Sequence, residues 1–186
     1  MELDRGSVEP ESGGAHVFHR KDLLSLDDEL RKGKRSGGIR QRPRYSLRAL
    51  TDEPQDLTAS VNEAMPYGAT LGIESIVGDA DEVVATLAWA PELCTTGGAL
   101  HGGVLMALAD SAGGVCAFLN LPSGATTATI ESKTNFFGAV REGTVRARSR
   151  PLHRGRTTIV VETDILDAND RRVGRTTQTQ AVLGAD

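Results

Sequence analysis

Apolar positions are sparse before residue 60 and recur with regular spacing after it. Leu57, Val61, Ala64 and Met65 fall at helical spacing behind Asp52-Glu53-Pro54. Acids with a proline are the chemistry of a first helical turn, and Pro66 stops the run, so a short helix is predicted from about 53 to 64. Leu71 to Val77 and Glu82 to Ala90 read as antiparallel strands joined by a turn at Asp79 to Asp81, with Val83, Ala85, Leu87 and Trp89 on one face. A loop from Pro91 to Ala99 precedes the longest apolar stretch, residues 99 to 119, which reads as a long helix ended by Leu121-Pro-Ser-Gly124. Four strands follow: Thr126 to Phe137, Thr144 to Leu152, Thr157 to Leu166 and Arg172 to Leu183. Val145, Ala147 and Ser149 share one face of the second, with Arg146, Arg148 and Arg150 opposite; Ile159, Val161, Thr163 and Ile165 share one side of the third.

The element order is helix, two strands, long helix, four strands. The lack of repeated β-α-β alternation argues against a doubly wound sheet. The pattern predicts an α+β domain over residues 51–186, in which one long central helix packs on an antiparallel sheet of about six strands. Residues 1–50 read as a flexible, polar and basic arm. Within it Leu23, Leu24, Leu26 and Leu30 allow a short helix near Lys21 to Arg31. Arg31 to Arg44 holds seven basic residues and no acid. That segment reads either as solvated chain or as an approach to an anion.

Composition narrows the function. Hydrophobic residues make up 39% of the chain and lie mostly after residue 60, enough for a core of roughly 120 residues. The net charge of −4 argues against an electrostatic nucleic-acid binder, and one Trp with two Tyr argues against base-stacking platforms. Cys94 and Cys116 make no metal or disulfide framework and read as structural thiols in a reducing cytosol. The N-terminus has no apolar signal-peptide core, so a cytoplasmic location is expected. The apolar run is long enough to raise a membrane question, but Asp110, four glycines and His101 within it point to a core helix, and no membrane partner is expected.

Those interruptions are the chemical signal. Asp110 shares a helical face with Gly103, Met106, Ala107, Gly113, Gly114 and Ala117. A carboxylate among small side chains calls for a partner or a task. Gly113 and Gly114 together weaken the helix by roughly 2 kcal/mol, which the close approach of another backbone, from a strand or a second subunit's helix, would offset.

Gly98-Ala-Leu-His101-Gly-Gly-Val-Leu-Met-Ala-Leu-Ala-Asp110-Ser-Ala resembles the signature of hotdog-fold acyl-CoA thioesterases of the phenylacetate-pathway (PaaI-like) type. Thr129-Ile-Glu-Ser-Lys-Thr-Asn-Phe136 resembles the strand that follows, and His153-Arg-Gly-Arg156 with Asp167 to Gly174 the final hairpin. The likeness spans about residues 65 to 183. It implies a sheet wrapped around the long helix, a homodimer or dimer of dimers, hydrolysis of coenzyme A thioesters, and no metal or organic cofactor. It also implies a water-positioning role for Thr129. Many relatives carry an amide six residues before the histidine; this chain has Thr95 there.

With a thioester as substrate, the parts take roles. The helix start, with Gly102 and Gly103, offers N–H groups and a positive dipole end to an incipient oxyanion. His101 either helps fix that start or carbonyl, or serves as a local cap. Asp110 is either a general base or a nucleophile that forms an anhydride. Arg154 and Arg156 suit the phosphates of coenzyme A. Gly103 and Asp110 lie about 10 Å apart along a helix axis, whereas a reacting carbon needs both groups within about 3 to 4 Å. The expected site therefore joins the helix start of one chain to Asp110 of another, in an obligate dimer. A non-hydrolytic acyl-CoA-binding protein of the same fold is the alternative. A hotdog dehydratase ranks last, for want of a second matching motif.

Overall fold

The stretch with the strictest alternation, residues 144–183, folds into three interior strands of the sheet. The computed structural model describes residues 54–184. Their order is β1 (Gln55–Asp56), α1 (Thr58–Ala64), α2 (Pro66–Leu71), β2 (Ile73–Gly78), β3 (Val83–Ala88), a 3-10 turn at Pro91–Leu93, α3 (Gly102–Leu119), β4 (Thr126–Phe136), β5 (Thr144–Arg154), β6 (Thr158–Leu166) and β7 (Arg172–Leu183). The strands form one antiparallel sheet in the order β1-β2-β3-β5-β6-β7-β4. The expected arm, with its helix and basic segment, lies outside the described residues.

The faces assigned from alternation are the buried ones. Val83, Ala85 and Leu87 of β3, Val145 and Ala147 of β5, and Ile159, Val161 and Ile165 of β6 form a continuous apolar surface. α3 lies across it and meets every strand from β2 to β7. Leu105, Leu108, Ala112 and Cys116 are buried along the contact, and a large apolar side chain removed from water in this way contributes roughly 1.5–3 kcal/mol. This is the hotdog arrangement, a sheet packed around one central helix. By length and composition α3 could span a membrane, and ten of its eighteen residues are buried against the rest of the chain. On the outer face Arg146 pairs with Asp170, and Arg148 and Arg150 pair with Glu82. Solvent-exposed pairs of this kind are worth at most about 1 kcal/mol each.

Three expectations are corrected. The first helix starts at Thr58, because β1 pairs with Val77 and Gly78 and holds the preceding residues extended. Asp56 then supplies the acceptor at its start, bonded to the Thr58 N–H at 3.0 Å and hydroxyl at 2.6 Å. Pro66 ends that helix as expected but also begins α2, where its missing N–H costs nothing. Gly72, at φ +85°, closes α2 in the left-handed conformation and delays β2 to Ile73. The sheet has seven strands, since two-residue β1 carries no alternation to read.

Candidate active site

A tight loop sets the start of α3. The Thr95 N–H bonds to the Ala99 carbonyl at 2.8 Å and the His101 N–H to the Leu93 carbonyl at 2.9 Å. The Leu100 N–H reaches the Val140 carbonyl at 2.8 Å, tying the loop to the residues after β4. The Thr95 hydroxyl turns back onto the Ala99 carbonyl at 3.4 Å. His101 is extended and occupies the N-cap, its Nδ1 accepting the Gly103 N–H at 2.9 Å. A neutral ring that accepts through Nδ1 carries its hydrogen on Nε2. The Val104 and Leu105 N–H groups both bond to the His101 carbonyl. Of the two glycine N–H groups expected to be open, Gly103's is therefore engaged, and Gly102's has no partner among the described residues. Gly102 also lies under an aromatic ring: a Cβ there would sit 3.1 Å from Phe136 Cζ.

Two turns further along, Asp110 faces the inner surface of β7 and β4. Gln178 Nε2 donates to Asp110 Oδ1 and lies 3.5 Å from the Thr129 hydroxyl. Gln180 Nε2 donates to that hydroxyl at 2.9 Å, and Gln180 Oε1 accepts from Thr127 at 3.0 Å. Asp110 is open to solvent on one side of the single chain. The protein packed against its carboxyl on the other side pushes its pKa above the usual carboxylate value.

A bulge makes this meeting geometric. β4 pairs Thr129 with Gln180 and then Glu131 with Thr179, leaving Ile130 as the extra residue. Strict alternation would place Thr129 and Thr134 on opposite faces; the bulge turns both inward. Thr134 bonds to Thr176 at 2.7 Å, and Ser149 to Thr163 at 2.7 Å. Register places Ser149, Thr163, Thr176 and Thr134 in one row across β5, β6, β7 and β4. The sheet under the middle of α3 is thus polar, and the small side chains of the helix lie over it. The close approach expected at the glycine pair occurs at Gly113 and comes from a side chain: a Cβ there would stand 2.1 Å from Gln178 Oε1. Nothing of this chain lies within 4 Å of such an atom at Gly114.

Asp110 and Thr129 therefore come together, while His101, Gly102, Gly103 and Thr95 gather at the other end of the seven-residue interval. Arg154 and Arg156 lie on the β5–β6 hairpin. Arg154 is bonded to Asp81 and, at 2.9 Å, to the Ala80 carbonyl beside the C-terminus of α3; Arg156 is exposed and makes no ion pair among the described residues. Cys94 and Cys116 are free thiols, and burial pushes Cys116 up to about 12, which keeps it protonated. No group of three His, Cys, Asp or Glu side chains able to hold a metal occurs among the described residues. An open depression of about 430 Å³ between residues 139–143 and 167–171 holds none of the expected site residues.

Sequence reasoning missed Gln178 and Gln180. The signal is Thr176-Thr-Gln-Thr-Gln180, a strand whose alternation is polar on both faces. Whichever face packs inward must bury polar groups, and here Thr176, Gln178 and Gln180 are buried.

Comparison with known proteins points the same way. The model of the thioesterase superfamily matches residues 97–174, the segment from the loop before α3 to the start of β7. ComA2 of Bacillus subtilis is 37% identical over 115 residues, 61% of this chain and 90% of that protein. The 1,4-dihydroxy-2-naphthoyl-CoA hydrolase of Escherichia coli is 30% identical over 131 residues, 68% of this chain and 96% of that protein. Among solved structures, a mutant of the thioesterase PA1618 from Pseudomonas aeruginosa superimposes with a TM-score of 0.65 at 27% identity, covering 74% of this chain and 99% of that one.

Proposed function

The chain belongs to the thioesterase superfamily and is a thioester hydrolase of it, and we propose that its substrates are acyl-CoA thioesters, split by water into a carboxylate and free coenzyme A. The Escherichia coli relative, a 1,4-dihydroxy-2-naphthoyl-CoA hydrolase, supports coenzyme A as the carrier. The observation that carries the reading is the link from Asp110 through Gln178 to Thr129. Asp110 is the general base. The Thr129 hydroxyl takes an amide N–H from Gln180, which leaves its own hydrogen for a water molecule. Asp110 removes a proton from that water as its oxygen attacks the thioester carbonyl carbon. The carbonyl oxygen becomes an oxyanion and is stabilised by an unpaired helix N–H, that of Gly102. Collapse breaks the carbon–sulfur bond, and the proton held by Asp110 passes to the leaving thiolate.

Asp110 and Gly102 of one chain are too far apart to share one carbonyl, so the site takes its helix start from a second copy. Two features support a dimer. β4 runs eleven residues along the edge of the sheet with β7 as its only strand partner among the described residues. It exposes Ile130 (62%) and Phe136 (49%), and a long edge with apolar side chains is a template for pairing. Arg156, without an ion pair among the described residues, suits the phosphates of coenzyme A; Arg154, held by Asp81, is the lesser candidate.

The test is thiol release from a panel of aromatic, short, medium and long acyl-CoAs, by the wild type and by Asp110→Asn. Hydrolysis of at least one member, lost in the variant while the dimer persists, is the expected result. Tight binding of coenzyme A with no thiol release from any acyl chain would replace this reading with a non-hydrolytic binding protein. Unchanged turnover in Asp110→Asn would remove Asp110 from the chemistry.

A further inference from the structure

We infer that Gln178 is a positioning residue for Asp110: its buried amide, seated in the space that Gly113 leaves open, holds one carboxylate oxygen in place and leaves the other for the reaction. The inference rests on the reading of Asp110 as the reacting carboxylate.

Gln178 sits on β7 facing α3 and is fully buried. Its Oε1 is buried without any hydrogen-bond partner. A fold that needed only packing here would be served by Leu or Met, which leave no acceptor unpaired. The donor end explains the residue. Nε2 carries two hydrogens; one goes to Asp110 Oδ1 and the other points towards the Thr129 hydroxyl at 3.5 Å. One amide thus fixes the base relative to the group that orients its water. With Asp110 ionised, the reversed amide would set Oε1 against a carboxylate oxygen with no hydrogen between them, so the base form of Asp110 selects the donor orientation.

Gly113 completes the arrangement. It lies three residues after Asp110, on the same helical face, and any side chain there would meet Oε1 at 2.1 Å. The amide occupies the room of the absent Cβ. A mid-helix glycine, unfavourable by itself, is therefore the seat of the positioning group. Thr129 and Thr134 of β4, Ser149 of β5, Thr163 of β6 and Thr176 and Gln178 of β7 face this stretch of α3, and none of them is charged. Burial raises the Asp110 pKa, and an amide N–H donated to a carboxylate oxygen favours the ionised form.

The experiment measures kcat, KM and the pH profile of kcat/KM for the wild type, Gln178→Leu, Gln178→Glu and Gly113→Ala, using an acyl-CoA that the wild type hydrolyses. Thermal melting and sedimentation establish which variants fold and assemble. Gln178→Leu removes the donor, and Gly113→Ala displaces it by direct steric conflict while leaving the amide in the chain. Both are expected to lower kcat on the order of tenfold to a hundredfold with KM nearly unchanged. Both also move the acid limb of kcat/KM upward by about one pH unit, because the carboxylate has lost a hydrogen bond. Gln178→Glu keeps the shape, so it remains informative if Gln178→Leu does not fold. It sets a second acid against Asp110 and moves the limb further up. Folded variants with wild-type kcat and an unmoved acid limb overturn the inference. Wild-type turnover in Asp110→Asn overturns the reading beneath it instead, which separates the two failures.

Discussion

His101 Nδ1 accepts the Gly103 N–H at 2.9 Å, so the first turn of α3 is closed by the side chain of its own cap residue. An N-cap hydrogen bond is worth about 1 kcal/mol. His101→Ala should lower the unfolding free energy by about that amount, and His101→Asn, whose amide oxygen can take the same N–H, should restore most of it. Chemical denaturation measures both. Full stability in His101→Ala would show that the bond does not hold the helix start.

Asp110 predicts opposite pH trends for activity and stability. Packing against its carboxyl raises its pKa, so the base form is lost as the pH falls through a value above that of an ordinary aspartate, and kcat/KM should fall there. Stability runs the other way. A raised folded pKa contributes stability at low pH that is lost as the pH rises through it. Asp110→Asn should therefore melt higher than the wild type at pH 7, and the gain should shrink as both are acidified. A gain independent of pH would mean that the carboxylate charge costs the fold nothing.

The adjacent glycines should respond with opposite signs. Gly113→Ala must evict the Gln178 amide and is expected to destabilise. Gly114→Ala enters open space and should stabilise by up to about 1 kcal/mol through helix propensity. Melting curves of the two variants decide it; destabilisation by Gly114→Ala would place atoms of a second copy against that residue.

Ile130→Lys tests the shared site. A lysine on an exposed edge strand opposes pairing, and Ile130 is the bulged, 62% exposed residue of β4. The variant should sediment as a folded monomer with thiol release reduced by about a hundredfold or more, the scale for losing an oxyanion donor. A fully active monomer would contradict a site built from two chains.

Arg156→Ala should raise KM for acyl-CoA about tenfold with kcat retained, the cost of one charge-assisted hydrogen bond to phosphate. Arg154→Ala should change KM less, because Asp81 already holds that guanidinium. Equal effects would move the coenzyme A phosphates towards Arg154.

Much of the fold could be read from the chain because its strands alternate strictly where one face is buried. The faces of β3, β5 and β6 follow from Val83, Val145 and Ile159 and their alternating successors. Tertiary pairing decided the places that alternation does not reach. β1 is too short to show a period, and Asp56 takes the Thr58 N–H at the helix start because β1 pairs beside it. Asp110, His101 and the glycines stood out as departures from an apolar helix. The partner of Asp110 did not, because Gln178 lies 68 residues away and faces inward among polar neighbours. The bulge at Ile130 was equally hidden: counting by twos separates Thr129 from Thr134, and only the register with β7 brings them to one face.

The row of Ser149, Thr163, Thr176 and Thr134 has a consequence for how the molecule answers an electric field. In each of its two hydroxyl pairs either oxygen can be the donor. The pairs can reverse by rotating hydroxyl hydrogens alone, with no heavy atom displaced and no bond to the backbone given up. A negative charge that grows or fades above Gly113 thus meets dipoles free to swing with it. Aliphatic side chains in the same row would offer no such response, and strand amides are locked in their ladders. The layer beneath the helix can thus reorient by hydroxyl rotation alone, which an aliphatic layer cannot do.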